Sequence, residues 1–130
     1  MRILIIISFF ILYSYSSMAQ YDWTTYPNGG NLADAISCIE IVSDTEIWVG
    51  TLDNGVQLFN GHSYMAYNTK NSPLPGDRIY DIFIDSEDRK WIATLNGLAI
   101  LDNNDWSVYT PENSNLPGKT VISIVQEKQG

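Results

Sequence analysis

The amino-acid sequence predicts an all-β protein built from a repeated unit of four antiparallel strands. Two short motifs recur: Leu-Pro-Gly at 74–76 returns at 116–118, and Trp-Val-Gly-Thr at 48–51 returns as Trp-Ile-Ala-Thr at 91–94. The period is about 42 residues, a length typical of one supersecondary unit that buries its apolar face only against a neighbouring copy. Runs rich in Ile, Val, Trp, Tyr and Thr alternate with Asn, Gly, Asp and Pro, and no stretch keeps the apolar period of a helix.

The first 19 residues have the pattern of a secretory signal peptide. Arg2 precedes an apolar run over 3–15, and the small residues Ser17 and Ala19 form a cleavage signature just before Gln20. The alternative, an uncleaved membrane anchor, needs about 20 apolar residues, and this run is shorter. We therefore expect export to the periplasm or the extracellular space.

Charge excludes some classes of partner. Cleavage removes Arg2 and leaves six basic against 15 acidic side chains, a formal charge of −9. Such a surface repels phosphate backbones and anionic lipid, so we expect no nucleic-acid partner and no peripheral membrane binding.

Cys38 is the only cysteine of the chain and forms no internal disulfide. The neighbouring Ile36, Ile39 and Ile41 predict that it is a small buried hydrophobe in a strand. A reactive or cross-linking thiol is the alternative.

Alignment of the two full units predicts the individual strands. They fall at 36–42, 46–51, 55–59 and 63–67 in the first unit, and at 79–85, 90–94, 97–101 and 106–109 in the second. Short turns separate them, and Asn54-Gly55 and Asn96-Gly97 are typical because Asn and Gly adopt the left-handed conformation that hairpins need.

Aromatic residues recur at positions suited to packing between units. Trp48 and Trp91 lie on the second predicted strand, where a large ring fills the space between neighbouring sheets. Pairs spaced by three follow on the fourth strand, as in Trp106 with Tyr109, so the two rings point to opposite faces. A four-stranded meander of this period has the dimensions of one blade of a β-propeller.

Both ends of the repeat region are incomplete. Residues 21–26, with Trp23 and Tyr26, match a fourth strand, which in propellers closes the last blade. Residues 121–127 match a first strand, and 128–130 match the turn that follows. Because a closed ring needs about four to eight blades, we expect a fragment holding an incomplete ring of about two and a half blades.

The stretch Asp85 to Leu98, which reads Asp-Ser-Glu-Asp-Arg-Lys-Trp-Ile-Ala-Thr-Leu-Asn-Gly-Leu, resembles the two-component regulator propeller repeat. The first copy, Asp44 to Val56, is similar. Ala93 replaces the usual Gly of this pattern, and Val56 replaces the usual Leu. The structural repeat positions are Trp48, Gly50, Thr51, Gly55, Trp91, Thr94, Gly97 and Leu98.

That resemblance implies a sensor region outside the cytoplasm that recognises glycan fragments and signals through a histidine kinase. The partners implied are a carbohydrate ligand, the remaining propeller blades and a kinase module downstream. The alternative is a secreted propeller that acts as a binding or assembly scaffold without a kinase. A transmembrane helix and kinase core downstream would favour the first, and a C-terminal Ig-like sorting domain the second.

The sequence predicts no catalytic, metal or cofactor site. His62, the only histidine, lies beside Gly61 in a predicted turn, with no nucleophile pattern around it. The carboxylates at 81, 85, 87 and 88 could suggest glycoside hydrolysis, but Arg89 and Lys90 favour a solvated hairpin. The stretch 102–105 lacks the Gly and distal Glu of a calcium loop.

Ligand-binding residues are not identified by the sequence. Since the aromatic residues recur in every unit, we expect them to serve packing rather than sugar stacking. Binding would fall to loops that differ between units, such as Leu52-Asp53 against Leu95, or 28–31 against 68–73.

Overall fold

The computed structural model describes residues 35–127, which form two antiparallel sheets of four strands. The first sheet contains β1 (Ile36–Ser43), β2 (Glu46–Thr51), β3 (Val56–Phe59) and β4 (Tyr64–Tyr67), and the second contains β5 (Ile79–Ile84), β6 (Lys90–Thr94), β7 (Gly97–Asp102) and β8 (Asp105–Tyr109). In each sheet the strands lie side by side in chain order.

The predicted all-β class and the two meanders are confirmed, and every strand boundary agrees with the sequence analysis to within one residue. The described part of the chain contains no helix. The predicted signal peptide, the predicted closing strand 21–26 and the turn 128–130 lie outside the described residues. Residues 121–127, predicted as a first strand, do not pair with another strand and are not one.

The first and second strands pair in the same register in both sheets. Ile36 pairs with Thr51 in the first sheet as Ile79 pairs with Thr94 in the second, and a β-bulge follows both isoleucines. The two sheets are therefore offset by 43 residues up to the end of their second strands. Asp53, an extra residue in the first β2–β3 turn, reduces the offset to 42 beyond it.

A buried threonine holds the turn between the second and third strands of each sheet. The Thr51 hydroxyl donates to the Gly55 carbonyl over 2.8 Å and accepts from the Asn54 amide over 3.0 Å. In the second sheet Thr94 does the same with Gly97 and Asn96, at 2.8 and 3.1 Å. Both threonines are fully buried, so this recurring residue has a structural role.

The glycines in these turns are required by backbone geometry. Gly55 has a φ of +76° and Gly97 a φ of +146°, in the region that side chains disfavour. Gly50 has another reason, since a Cβ there would lie 2.7 Å from Ile79 Cγ2 and would also clash with Cys38 Sγ. Ala93 occupies the equivalent position in the second sheet, where Asp81 replaces Cys38.

The core lies between the two sheets. It is formed by three groups of buried side chains: Trp48 and Val56 from the first sheet; Leu74 from the connection; and Ile79, Ile82, Ile92, Ala99 and Leu101 from the second sheet. The outer strands also meet there, because the Tyr67 ring stacks on Trp48 and contacts Trp106 at 5.6 Å between centroids. Trp48 thus fills the space between sheets as predicted.

The opposite face of the first sheet is exposed along β1, whereas Val49 and Phe59 on its inner strands are buried. Ile36, Ile39 and Ile41 are 48%, 54% and 67% exposed, whereas their equivalents Ile79 and Ile82 are 0% and 4% exposed. Within the described residues no other sheet packs on this side of β1, so these isoleucines do not bury Cys38 as predicted. Cys38 points to the other side, is half-buried and packs against the core.

Thr51→Val tests the role of the buried threonine. Valine has the same shape but neither donates to the Gly55 carbonyl nor accepts from the Asn54 amide, so we expect the free energy of unfolding to fall by about 1 to 2 kcal/mol. Urea unfolding measures the change, and the exposed Thr45→Val is the matched control, expected to stay within about 0.5 kcal/mol of the native value. Equal effects of the two substitutions would contradict the assignment.

Candidate functional site

The second-strand tryptophan of each sheet has its indole N–H bound by a carboxylate, but the two sheets use different residues. In the first sheet Trp48 Nε1 donates to Glu46 Oε1 over 2.9 Å, and Lys90 from the second sheet reaches the same oxygen at 3.3 Å. The Lys90 ammonium also lies 5.7 Å from the centre of the Trp48 ring. The lysine therefore links the two sheets electrostatically.

Lys90 itself is almost buried, with a side chain that is 10% exposed. Burial lowers the pKa of its ammonium, but the carboxylates of Asp88, at 2.8 Å, and Glu46 more than offset that effect, so the pKa is raised. Lys90 therefore stays charged between the sheets.

In the second sheet Asp85 takes the role of Glu46. Its Oδ2 accepts from Trp91 Nε1 and from Arg89 Nε, both over 2.7 Å. Its Oδ1 accepts from the backbone amides of Glu87 and Arg89 over 2.9 and 3.0 Å. The Arg89 guanidinium lies 5.6 Å from the centre of the Trp91 ring. The Asp85 carboxylate therefore holds the β5–β6 turn and also orients the tryptophan.

Asp85 is held in its charged form. Its side chain is only 5% exposed, and this burial raises its pKa, but the four hydrogen bonds outweigh burial and lower the pKa to about 2. A carboxyl group that stays ionised and already accepts four hydrogen bonds is a poor general acid. The geometry favours a structural role.

The register corrects the alignment of the first motif. Ile41 pairs with Ile47 as Ile84 pairs with Lys90, so the residue equivalent to Asp85 is Val42 and not Asp44. The two motifs align by sequence on their acidic residues, but Asp44 lies in the β1–β2 turn. Glu46 supplies the missing carboxylate from a position that is Arg89 in the second sheet.

The side of the second sheet that carries Trp91 is uncovered. We call this surface the open face and define it by Trp91, Leu98, Ile100, Tyr109 and Leu116, which line a shallow cleft of about 340 Å³. A second cleft of about 270 Å³ adjoins it, lined by Asp85, Arg89 and Trp91 on one side and by residues 124–127 on the other. Trp91 borders both clefts.

Residues 121–127 lie beside β5 and β6, at one edge of the open face. The Val121 amide donates to the Thr94 carbonyl over 3.0 Å, and the Thr120 hydroxyl to the Leu95 carbonyl over 3.3 Å. Asp81 Oδ2 accepts from the Ile124 amide over 2.8 Å and from the Ser123 hydroxyl over 3.2 Å. Asp81 therefore anchors this segment.

The acidic cluster predicted as a solvated hairpin is divided in the structure. Glu87 and Asp88 are exposed and pair with Arg89 and Lys90, but Asp85 is buried by its hydrogen bonds and Asp81 contacts residues 123–124. The hairpin prediction therefore holds for two of the four carboxylates and fails for Asp85 and Asp81. The sequence signal that could have indicated the buried Asp85 is Trp91, six residues later across the β5–β6 turn, whose indole N–H binds this carboxylate.

The other sequence candidates lie in exposed turns. His62 is exposed in the β3–β4 turn, where its amide donates to Asn60 Oδ1 over 3.1 Å. Asn103, in the β7–β8 turn, has a φ of +54° and donates to Asp102 over 3.0 Å. Among residues 35–127 no three His, Cys, Asp or Glu side chains are grouped as metal ligands would be.

The connection after the fourth strand is alike in both units, which the sequence analysis did not detect. The Asn71 amide group donates to the Ala66 carbonyl, and Asn113 donates to Val108 in the same way, over 2.8 and 3.0 Å. Ser72 and Ser114 bind the carbonyls of residues 68 and 110. These shared contacts give the 68–73 loop a scaffold role in addition to any binding role.

Comparison with known proteins does not assign the chain to a family. No protein-family model matches it, and no curated protein matches it significantly. Within the described residues we find no helix of the length and apolar character needed to cross a membrane.

Asp85→Asn tests the charged hydrogen-bond centre. The new amide NH₂ opposes the N–H groups of Arg89 or Trp91, so we expect the free energy of unfolding at pH 7 to fall by about 2 kcal/mol. Because folding lowers this pKa to about 2, the stabilisation is complete above the ordinary Asp pKa and is lost as the pH falls from about 4 to about 2.

Urea unfolding of the full chain at several pH values measures both effects. The difference between the native protein and Asp85→Asn should narrow between pH 4 and pH 2. Glu87→Gln removes the same charge from an exposed side chain and serves as the control, with a small effect on the free energy of unfolding at pH 7. A gap between native protein and Asp85→Asn that stays constant down to pH 2 would show that the charge of Asp85 is unimportant.

Proposed function

We propose that this chain is a non-catalytic, ligand-sensing segment of β-propeller type, exported from the cytoplasm, that serves a two-component regulatory system. The observation that carries the proposal is the repetition of one four-stranded meander with the same tryptophan, threonine and glycine positions in the same register. This arrangement matches what the resemblance of Asp85–Leu98 to the two-component regulator propeller repeat implies. The signal-like first 19 residues support export.

The assignment of the ligand class rests on the resemblance and on the charge of the chain. A formal net charge of −8 disfavours phosphorylated and other anionic ligands, and neutral glycans are compatible with it. The recurring residues Trp48, Trp91 and Thr51 are occupied by packing or internal hydrogen bonds. The residues that bind the ligand would therefore lie in polar turns that differ between the two units.

The β2–β3 turn is the clearest such difference. The first sheet has Leu52-Asp53-Asn54 where the second has Leu95-Asn96, and Asp53 is exposed with its carboxylate accepting from the Asn54 side chain over 3.3 Å. Acidic and amide side chains are common partners of sugar hydroxyls because they accept and donate hydrogen bonds.

A secreted propeller scaffold without a kinase is the second candidate. The observation in its favour is the apolar surface that is exposed along β1, at Ile36, Ile39 and Ile41, together with the open face of the second sheet. Such surfaces mark interaction with another protein or another part of the same protein.

A screen of neutral oligosaccharides against the full chain, followed by calorimetry, tests the sensing proposal. We expect a dissociation constant below about 1 mM for at least one glycan, without cleavage of the sugar. Deletion of Asp53 gives the first turn the length of the second, so it should weaken binding at least about tenfold and preserve the fold.

Asp44→Asn, in the β1–β2 turn, is the matched control and should bind as the native chain does. A folded chain that binds no oligosaccharide would overturn the glycan assignment. Release of shorter sugars during incubation would overturn the non-catalytic one.

A further inference from the structure

Three Asn-Gly pairs lie within the described residues, at 54–55, 60–61 and 96–97. In such a pair the backbone nitrogen of the glycine attacks the side-chain carbonyl of the asparagine, and the glycine has no Cβ to obstruct the approach. The reaction converts the asparagine amide into a carboxylate and needs only water. The surroundings of each glycine nitrogen therefore decide which of the three pairs reacts.

The Asn54-Gly55 pair is held away from this reaction. The Gly55 amide donates to the Asp77 carbonyl over 2.8 Å, and Gly55 is buried. The Asn54 backbone amide donates to Thr51 Oγ1 over 3.0 Å, and its side chain donates to Asp53 over 3.3 Å. The attacking nitrogen is already hydrogen-bonded, so that bond must break before the reaction begins.

The Asn96-Gly97 pair is held by the second sheet. Gly97 is buried, begins β7 and pairs with Thr94, whose hydroxyl donates to the Gly97 carbonyl over 2.8 Å. The Asn96 side chain lies against Gly76, where a Cβ would be 3.2 Å from Asn96 Nδ2. Closure of a ring between these two residues would pull Gly97 out of its strand.

The Asn60-Gly61 pair is accessible. It lies between β3 and β4, Asn60 is exposed, and within residues 35–127 the Gly61 N–H makes no hydrogen bond. Asn60 Oδ1 accepts from the backbone amides of His62 and Ser63 over 3.1 and 2.9 Å, and from the Ser63 hydroxyl over 3.3 Å. This side-chain turn folds the Asn60 carbonyl back over the peptide bond to Gly61.

The three donors on Asn60 Oδ1 also favour the attack itself. Negative charge develops on this oxygen when the nitrogen bonds to Cγ, and donors already in place stabilise that charge as in an oxyanion hole. The leaving group, Asn60 Nδ2, makes no hydrogen bond in the described part of the chain. The Asn60 amide is therefore polarised at its oxygen and unrestrained at its nitrogen.

The second sheet shows that an aspartate fits this turn. By the register of the third and fourth strands, Asp102 stands at the position of Asn60. The next residue has a positive φ in both turns, +89° at Gly61 and +54° at Asn103. A carboxylate accepts hydrogen bonds more strongly than an amide oxygen does. Conversion of Asn60 into aspartate should therefore leave the turn intact.

We propose that Asn60-Gly61 is a self-modification site, at which this chain converts an asparagine into an acidic residue without losing its fold. The Gly61 nitrogen gives its proton to solvent and bonds to Asn60 Cγ, the Cγ–Nδ2 bond breaks, and Nδ2 leaves as ammonia. Water then opens the five-membered imide to aspartate or to isoaspartate, in which the chain continues through the side-chain carboxyl. One water is consumed, one ammonia is released, and the turn beside His62 gains one negative charge.

The test is incubation of the folded full chain in isotope-labelled water at mildly alkaline pH. Digestion and mass spectrometry then follow the peptide that holds each pair, since every conversion replaces an amide NH₂ with labelled oxygen. We expect Asn60 to convert at least about tenfold faster than Asn54 and Asn96, because those pairs must first lose a hydrogen bond or a strand contact.

The same chain in concentrated urea is the matched control. Without the fold the three pairs have the same local chemistry and should convert at similar rates. The proposal is overturned if Asn60 is not the fastest of the three in the folded chain, or if Asn60 converts in urea but not in the folded chain.

Asn60→Asp carries the product from the start. This variant should show no labelling at residue 60, unchanged rates at Asn54 and Asn96, and unfolding at the same urea concentration as the native chain. Unfolding at a clearly lower urea concentration would show that the turn rejects an aspartate, and would also overturn the proposal.

Discussion

The structure depends on the burial of one sheet face against the next. A four-stranded meander of this kind carries apolar residues on both faces, and one such unit cannot bury both faces alone. Burial of Trp48, Val56 and Leu74 beneath Ile79 and Ile92 removes those faces from water and holds the two sheets together. The buried Thr51 and Thr94 hold the turns of the strands that carry these side chains, and the Lys90–Glu46 ion pair links the two sheets.

The second-strand tryptophans need both apolar packing and a hydrogen-bond acceptor. Each ring supplies a large apolar area but carries an N–H that needs an acceptor when buried. Glu46 and Asp85 satisfy that need from different positions, with Lys90 and Arg89 as their respective cations. Two equivalent sheets therefore reach the same result by different local chemistry: one depends on its neighbour for charge balance and the other balances its own charge.

The recurring residues and the variable ones have separate tasks. Thr51 and Thr94 close turns, Gly55 and Gly97 allow the backbone to bend, and the asparagine and serine side chains after each fourth strand fix the connection to the next sheet. These groups have their hydrogen-bonding capacity engaged within the fold. A ligand would find available polar groups in turns such as the one with Asp53, which is why the sensing proposal is directed at that turn.

The sequence by itself determined the eight strands of the two sheets, with their order and boundaries, because alternating apolar residues and Asn-Gly turns act locally and recur in both units. It also identified Trp48, Thr51 and Gly55 as scaffold positions. Only the tertiary structure decided which apolar faces are covered: Ile36 and Ile79 have the same local pattern, but one is 48% exposed and the other fully buried. It also decided that Asp85 is buried and bound by four donors. Burial depends on what packs from outside the strand, and that information is not contained in the pattern of the strand itself.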